Sequence, residues 1–225
     1  LLTISSKSVW FFNKSILLII SISLSCLVFA QKPDALQLYR DGRNFDAAGQ
    51  TAQARAAFQQ SVDVCRQELQ QNSRNIESYV VLGWSLLRLE NYQEAIKISQ
   101  DALKISPKEY RIIETLGEAY FYIDNYTESL KMFEQYVNGL PNGERCATAY
   151  FFVGEIYRLT QKYEHADIAY CMALKKEPSV SLWWYRLGRS REDGGNKVGA
   201  KQAYEQALKI RPNYPDASSG LKRVS

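Results

Sequence analysis

Histidine is nearly missing from this chain: the 225 residues hold one, His165, alongside four cysteines, two methionines and six prolines. A single imidazole excludes a multi-histidine metal centre. Four cysteines are too few to staple a chain of this length, and Cys65, Cys146 and Cys171 show no CxxC or other zinc-type spacing. A large excess of charge is missing too. The formal charge is +4, but two of the 28 Lys and Arg, Lys7 and Lys14, fall in an N-terminal stretch that reads as a leader, so the rest carries +2 against its 24 acids. That is no footprint for a nucleic acid. The whole chain is 46% hydrophobic and 23% charged, enough apolar surface for a packed core and too much for wholesale disorder.

Residues 1–30 read as an address. Lys7 and Lys14 precede an apolar run from Ile16 to Phe29, and Val28-Phe29-Ala30 ends it on a small residue, the pattern of a secretory signal peptide. As a helix the run spans about 21 Å, short of the ~30 Å hydrocarbon core of a bilayer. Three fates stay open: cleavage after Ala30, lipid attachment at Cys26, or retention as an uncleaved N-terminal anchor. Ser23-Leu24-Ser25-Cys26 looks like a bacterial lipobox with its leucine one place late. Each fate delivers the folded part outside the cytoplasm, to the periplasm, the exterior or a membrane surface.

From residue 31 onward the sequence repeats. Leu82-Gly83, Leu116-Gly117, Val153-Gly154 and Leu187-Gly188 recur at intervals of 34, 37 and 34 residues. Twelve places after each glycine stands a small residue (Ala95, Ser129, Ala166, Ala200), four further on Ser99, Phe133, Tyr170 and Tyr204, and each unit closes on Pro107, Pro141, Pro178 or Pro212. A fainter copy upstream places Gly42, Ala54 and Phe58 at the same offsets. A period in this range is the signature of a stacked array whose units cannot bury an apolar face alone.

These positions resemble the tetratricopeptide repeat, with departures at Ser99, Ser129 and Tyr136. The resemblance implies an all-α fold, an α-solenoid of about five helix pairs wound as a right-handed superhelix. The units would be 35–68, 76–109, 110–143, 147–180 and 181–214 within a domain 31–225, with 215–225 as a short polar capping turn. Asn91, Asn125 and Asn196 are placed to cap the second helices, with Glu94 and Glu128 completing capping boxes, and Asp34 to start the first helix of all.

No catalytic constellation is present. His165 has no spaced nucleophile or acid, Gly194-Gly195 lacks the strand and the Lys-Ser/Thr ending of a phosphate loop, and Glu114 and Glu118 read as a charged helix face. A Cys146–Cys171 bridge is conceivable, with Cys146 in the linker 144–146. No cofactor and no metal is expected.

The resemblance further implies that first helices line a concave groove that binds a protein or peptide partner. Carried onto this chain, its lining is Tyr39, Arg43, Trp84, Arg88, Glu118, Phe121, Tyr122, Phe151, Glu155, Arg158, Tyr185 and Arg189, rich in residue types that dominate binding energy. Some of these aromatics are expected to pack sideways between units instead. The expected function is a non-enzymatic protein-interaction scaffold outside the cytoplasm; the alternative is a small-ligand carrier or transporter-associated subunit using the groove as a pocket. Self-association through an incompletely capped end is a further expectation.

Overall fold

The computed structural model describes residues 34–225; the leader, with Lys7, Lys14, Cys26 and the Ala30 site, lies outside them. Among the described residues there are eleven helices and no strand. They are α1 Ala35–Ala47, α2 Thr51–Gln71, α3 Ile76–Arg88, α4 Tyr92–Ile105, α5 Tyr110–Tyr122 and α6 Tyr126–Gly139, then α7 Cys146–Leu159, α8 Tyr163–Lys176, α9 Ser181–Asp193, α10 Lys197–Ile210 and α11 Pro215–Val224. No described helix is long and apolar enough to cross a membrane.

Consecutive helices pair as antiparallel hairpins, and one local device makes all five turns. The fifteenth place of each unit, Gly49, Glu90, Asp124, Gln161 or Gly195, takes a left-handed backbone with φ of 72°, 62°, 59°, 60° and 81°. The next residue then donates its N–H back over the end of the first helix: Gln50 to Phe45, Asn91 to Leu86, Asn125 to Tyr120, Lys162 to Tyr157, Asn196 to Arg191, at 2.8–3.0 Å. These bonds satisfy carbonyls that a helix end leaves open. That same residue is also the N-cap of the second helix. Asn125 and Asn196 accept there from the N–H of Glu128 (3.4 Å) and Gly199 (2.9 Å). Asn91 departs from expectation: its side chain donates to Glu94 at 2.9 Å and caps no backbone group. Asp34 accepts from Leu36 and Gln37 and starts α1 as expected.

Packing inside a hairpin is decided by the glycine of the aliphatic–Gly pair. Gly42, Gly117, Gly154 and Gly188 lie face-on to Phe58, Phe133, Tyr170 and Tyr204 of their own second helices, where a Cβ would stand only 2.6–3.0 Å from the ring. Absence of a side chain lets the helices close onto a large flat ring, which fills the space a bulkier pair would leave as a void. In the second unit Ser99 stands where the ring would be, and Thr115 of the next unit fills against Gly83 instead. The Ser99 hydroxyl is buried without a hydrogen-bond partner. Ser99→Ala is therefore expected to raise stability by up to about 1 kcal/mol, read from the denaturation midpoint, because it removes an unsatisfied buried hydroxyl.

Between hairpins, first helices pack backbone-close on first helices in an unbroken row (α1, α3, α5, α7, α9), whereas the second helices stand further apart, α2 and α4 meeting through the Arg66–Glu94 ion pair at 2.7 Å. The first helices thus form the inner layer. The tail, expected as a short turn, is instead a ten-residue helix, α11. Pro215 fits its first turn, and Ala217 and Gly220 are buried against the last hairpin. Cys146 is likewise no linker residue: it opens α7 and is buried. Cys65, Cys146 and Cys171 are all free, so the conceivable Cys146–Cys171 bridge is absent. Burial pushes the Cys65 thiol up to about 12, which leaves it a structural, unreactive group.

Candidate functional site

A cavity of about 720 Å³ opens on the inner layer across α1, α3 and α5 and is closed at one end by the loop between α6 and α7. Its floor is aromatic. Tyr39 is buried with its ring 5.5 Å from Trp84 and 5.8 Å from Phe58, and Trp84 is half-buried. One wall is a stacked pair, Tyr92 on Tyr122, with centroids 4.9 Å apart and planes at 16°. Tyr122 is still 48% exposed. Burial raises both phenols above their ordinary range, so they present neutral hydroxyls.

The arginines of this cavity fall into two groups, beside the lining acids Asp46, Glu90 and Glu144, which form no ion pair among the described residues. Arg111 is clamped: it donates to both oxygens of Glu77 (2.7 and 2.8 Å) and to Glu109 (2.9 Å), and it holds both carboxyls below the usual range. Arg145 is clamped too. It reaches in from the loop, donates to Glu114 at 2.7 and 2.9 Å, and bonds Glu118. Glu114 is 4% exposed, and burial followed by the charge of Glu118 pushes its carboxyl well above the ordinary glutamate value while Arg145 works against both. Arg43 and Arg88 differ. Both are exposed, line the cavity and form no ion pair among the described residues.

Family models for the tetratricopeptide repeat match residues 42–108 and 169–215. The chain belongs to the tetratricopeptide repeat family. No curated protein matches the sequence. Solved structures of the same architecture align along most of it. A MamA chain from Desulfovibrio magneticus RS-1 is 18% identical over 81% of this chain and 98% of its own, with a TM-score of 0.64. TTC0263, a thermophilic protein of this family from Thermus thermophilus, is 18% identical over 85% and 98%, TM-score 0.65. YrrB, described as having an unusual peptide-binding site, is 16% identical over 87% and 95%, TM-score 0.58. At such identities the likeness is one of fold.

Of the twelve groove residues expected for this tetratricopeptide repeat array, six line the cavity: Tyr39, Arg43, Trp84, Arg88, Glu118 and Tyr122. The others lie elsewhere, held by contacts within and between units. Phe121 turns onto Tyr126 and Phe152; Phe151 stacks on Trp183 at 5.3 Å; Tyr185 wedges between Tyr204 and Tyr214. Glu155 is buried and accepts from Tyr170 and Arg158, and Arg189 sits 3.9 Å from Asp193.

Glu114 and Glu118 are not a solvated charged face: Glu114 is buried and both hold Arg145. Sequence reasoning passed over Leu140, Glu144 and Arg145, and also Tyr92 and Tyr136, which reach the cavity from second helices. A signal for the loop was present in the 37-residue interval, whose three extra residues, 144–146, carry Arg145 inward. His165 is exposed with its ring against Tyr157 at 5.2 Å, and no described cluster of His, Cys, Asp and Glu could hold a metal ion.

Proposed function

We propose that this chain is a non-enzymatic scaffold that binds a segment of a partner protein in the groove of its inner layer, outside the cytoplasm. The observation that carries the reading is the cavity itself: an open aromatic floor of Tyr39 and Trp84 beside two uncommitted cations, Arg43 and Arg88. An amphipathic or extended segment needs these two things, an apolar surface for anchors and charges that gain strength when partly desolvated. The family supports the reading, as does the description of YrrB as peptide-binding. The compartment rests on the leader-like residues 1–30.

Tyr122→Ala combined with Arg88→Ala is expected to weaken partner binding by about 2 kcal/mol or more, roughly thirtyfold, while the fold, which loses the half-exposed Tyr122 ring from its stack on Tyr92, stays intact by circular dichroism. Surface plasmon resonance against a partner captured by crosslinking at the groove checks this; unchanged affinity overturns it. A second reading, a small-ligand carrier, is favoured by the cavity volume, which lies within the ~300–1,000 Å³ of small-molecule sites. Saturable protection against heat by metabolites and none by peptides would select it.

A further inference from the structure

The inner layer carries a second polar cluster, between α7 and α9, where the charges do not balance. Glu155 is buried, and its carboxylate accepts from the Tyr170 hydroxyl and from Arg158 at 3.1 Å. Arg186 approaches the same carboxylate only to 3.8 Å, beyond hydrogen-bond range. No other carboxylate lies within 4 Å of either guanidinium among the described residues. Acids of the neighbouring helices are engaged elsewhere: Glu118 with Arg145, Asp167 with Arg191, and Glu192 with Arg223. Tyr170 is fully buried and its phenol is raised, so it stays neutral and offsets nothing.

Two cations therefore share one anion. The Nε groups of both Arg158 and Arg186 are buried with no hydrogen-bond partner, and the Arg158 side chain is only 13% exposed. An unmatched, partly buried guanidinium is costly to a folded chain, and binding an anion relieves that cost. Leu159 follows Arg158, and Leu182 stands one helical turn before Arg186; both are 41% exposed.

We propose that Arg158 and Arg186 form a seat for the carboxylate of an acidic side chain, carried by the partner segment where it continues along the inner layer past the Arg145 wall, and flanked there by apolar side chains that rest on Leu159 and Leu182. This rests on the groove reading above. A planar carboxylate suits two guanidinium forks better than a point anion does. It would supply the one negative charge that the cluster lacks.

The test uses the full chain, with succinate as the carboxylate probe and inorganic phosphate as the rival anion. Each is titrated against chloride at constant ionic strength while thermal unfolding is followed. Succinate is expected to protect the native chain saturably. Arg158→Met and Arg186→Met are expected to shift half-saturation at least tenfold, and Lys201→Ala, an exposed lysine of α10 outside the groove, to leave it unchanged.

Equal protection of the two Met variants overturns the proposal, as does no protection of the native chain. Stronger protection by phosphate overturns the carboxylate assignment. Without ligand, Arg186→Met should melt no lower than the native chain, since it removes surplus charge. A clear drop in its melting temperature overturns the proposal by making Arg186 a structural partner of Glu155. The Tyr122 and Arg88 variants test the groove separately: unchanged partner affinity there, together with succinate protection lost at Arg158 and Arg186, would leave an anion site standing and the groove reading fallen.

Discussion

Tyr204→Ala is expected to destabilise the chain by about 4 kcal/mol, the cost of deleting a large ring from a site that cannot collapse. The ring is fully buried, pressed by Gly188 of its own hairpin on one side and by Gly220 of α11 on the other. Two bare backbone faces were built around it, so nothing nearby can move in to fill the void. The hydroxyl donates to Glu192, which also takes Arg223 of α11 at 2.8 Å, so the same residue ties the closing helix to the last hairpin by packing and by charge. Loss of the ring should lower the melting temperature by roughly 8–16 °C for a chain of this size. It should also free the α11 amides to exchange with solvent well before the rest. Tyr204→Phe keeps the ring and should cost only about 1 kcal/mol. An alanine variant that melts with the native chain, its α11 amides still protected, would refute the account.

Arg145→Leu is expected to cost about 2 kcal/mol near neutral pH: Arg145 itself is half exposed, but Glu114 is buried, and removing the cation strands that acid. The deficit should depend on pH in a definite sense. Glu114 already holds its proton to a higher pH in the native chain than when unfolded, and removing the Arg145 cation raises it further. A native state that binds more protons than the unfolded chain loses stability as pH rises. The variant should therefore lie close to the native chain near the ordinary glutamate value and fall behind it steadily toward pH 7. Adding Glu114→Gln should recover part of the loss at neutral pH, since an amide needs no counter-charge. Denaturant titrations of the three proteins at pH 5 and pH 7 decide it; a deficit that shrinks with rising pH would refute the account.

Much of the fold could be read from spacing. The glycine and aromatic places recur because one contact, a bare backbone against a ring, is needed once per hairpin, and a need that recurs leaves a period. The turn residues were half legible. Asn125 and Asn196 announced their caps, but Gln50 and Lys162 occupy the same place without a side-chain cap, because the backbone bond to the preceding helix already closes the turn. The groove was less legible. A repeat position says which face a residue starts on, and neighbours then decide where its side chain ends. Phe151 and Tyr185 began as groove positions and were taken by Trp183, Tyr204 and Tyr214. Arg145 had no repeat position at all, and only the irregular interval marked it.

The loop that carries Arg145 belongs to no hairpin, yet it forms the end wall of the cavity. Selection can thus reshape the cavity by editing a few connecting residues, while every structural joint keeps its register. Leu140 and Glu144 can change there without touching a hairpin joint, whereas Arg145 serves the wall and the fold together.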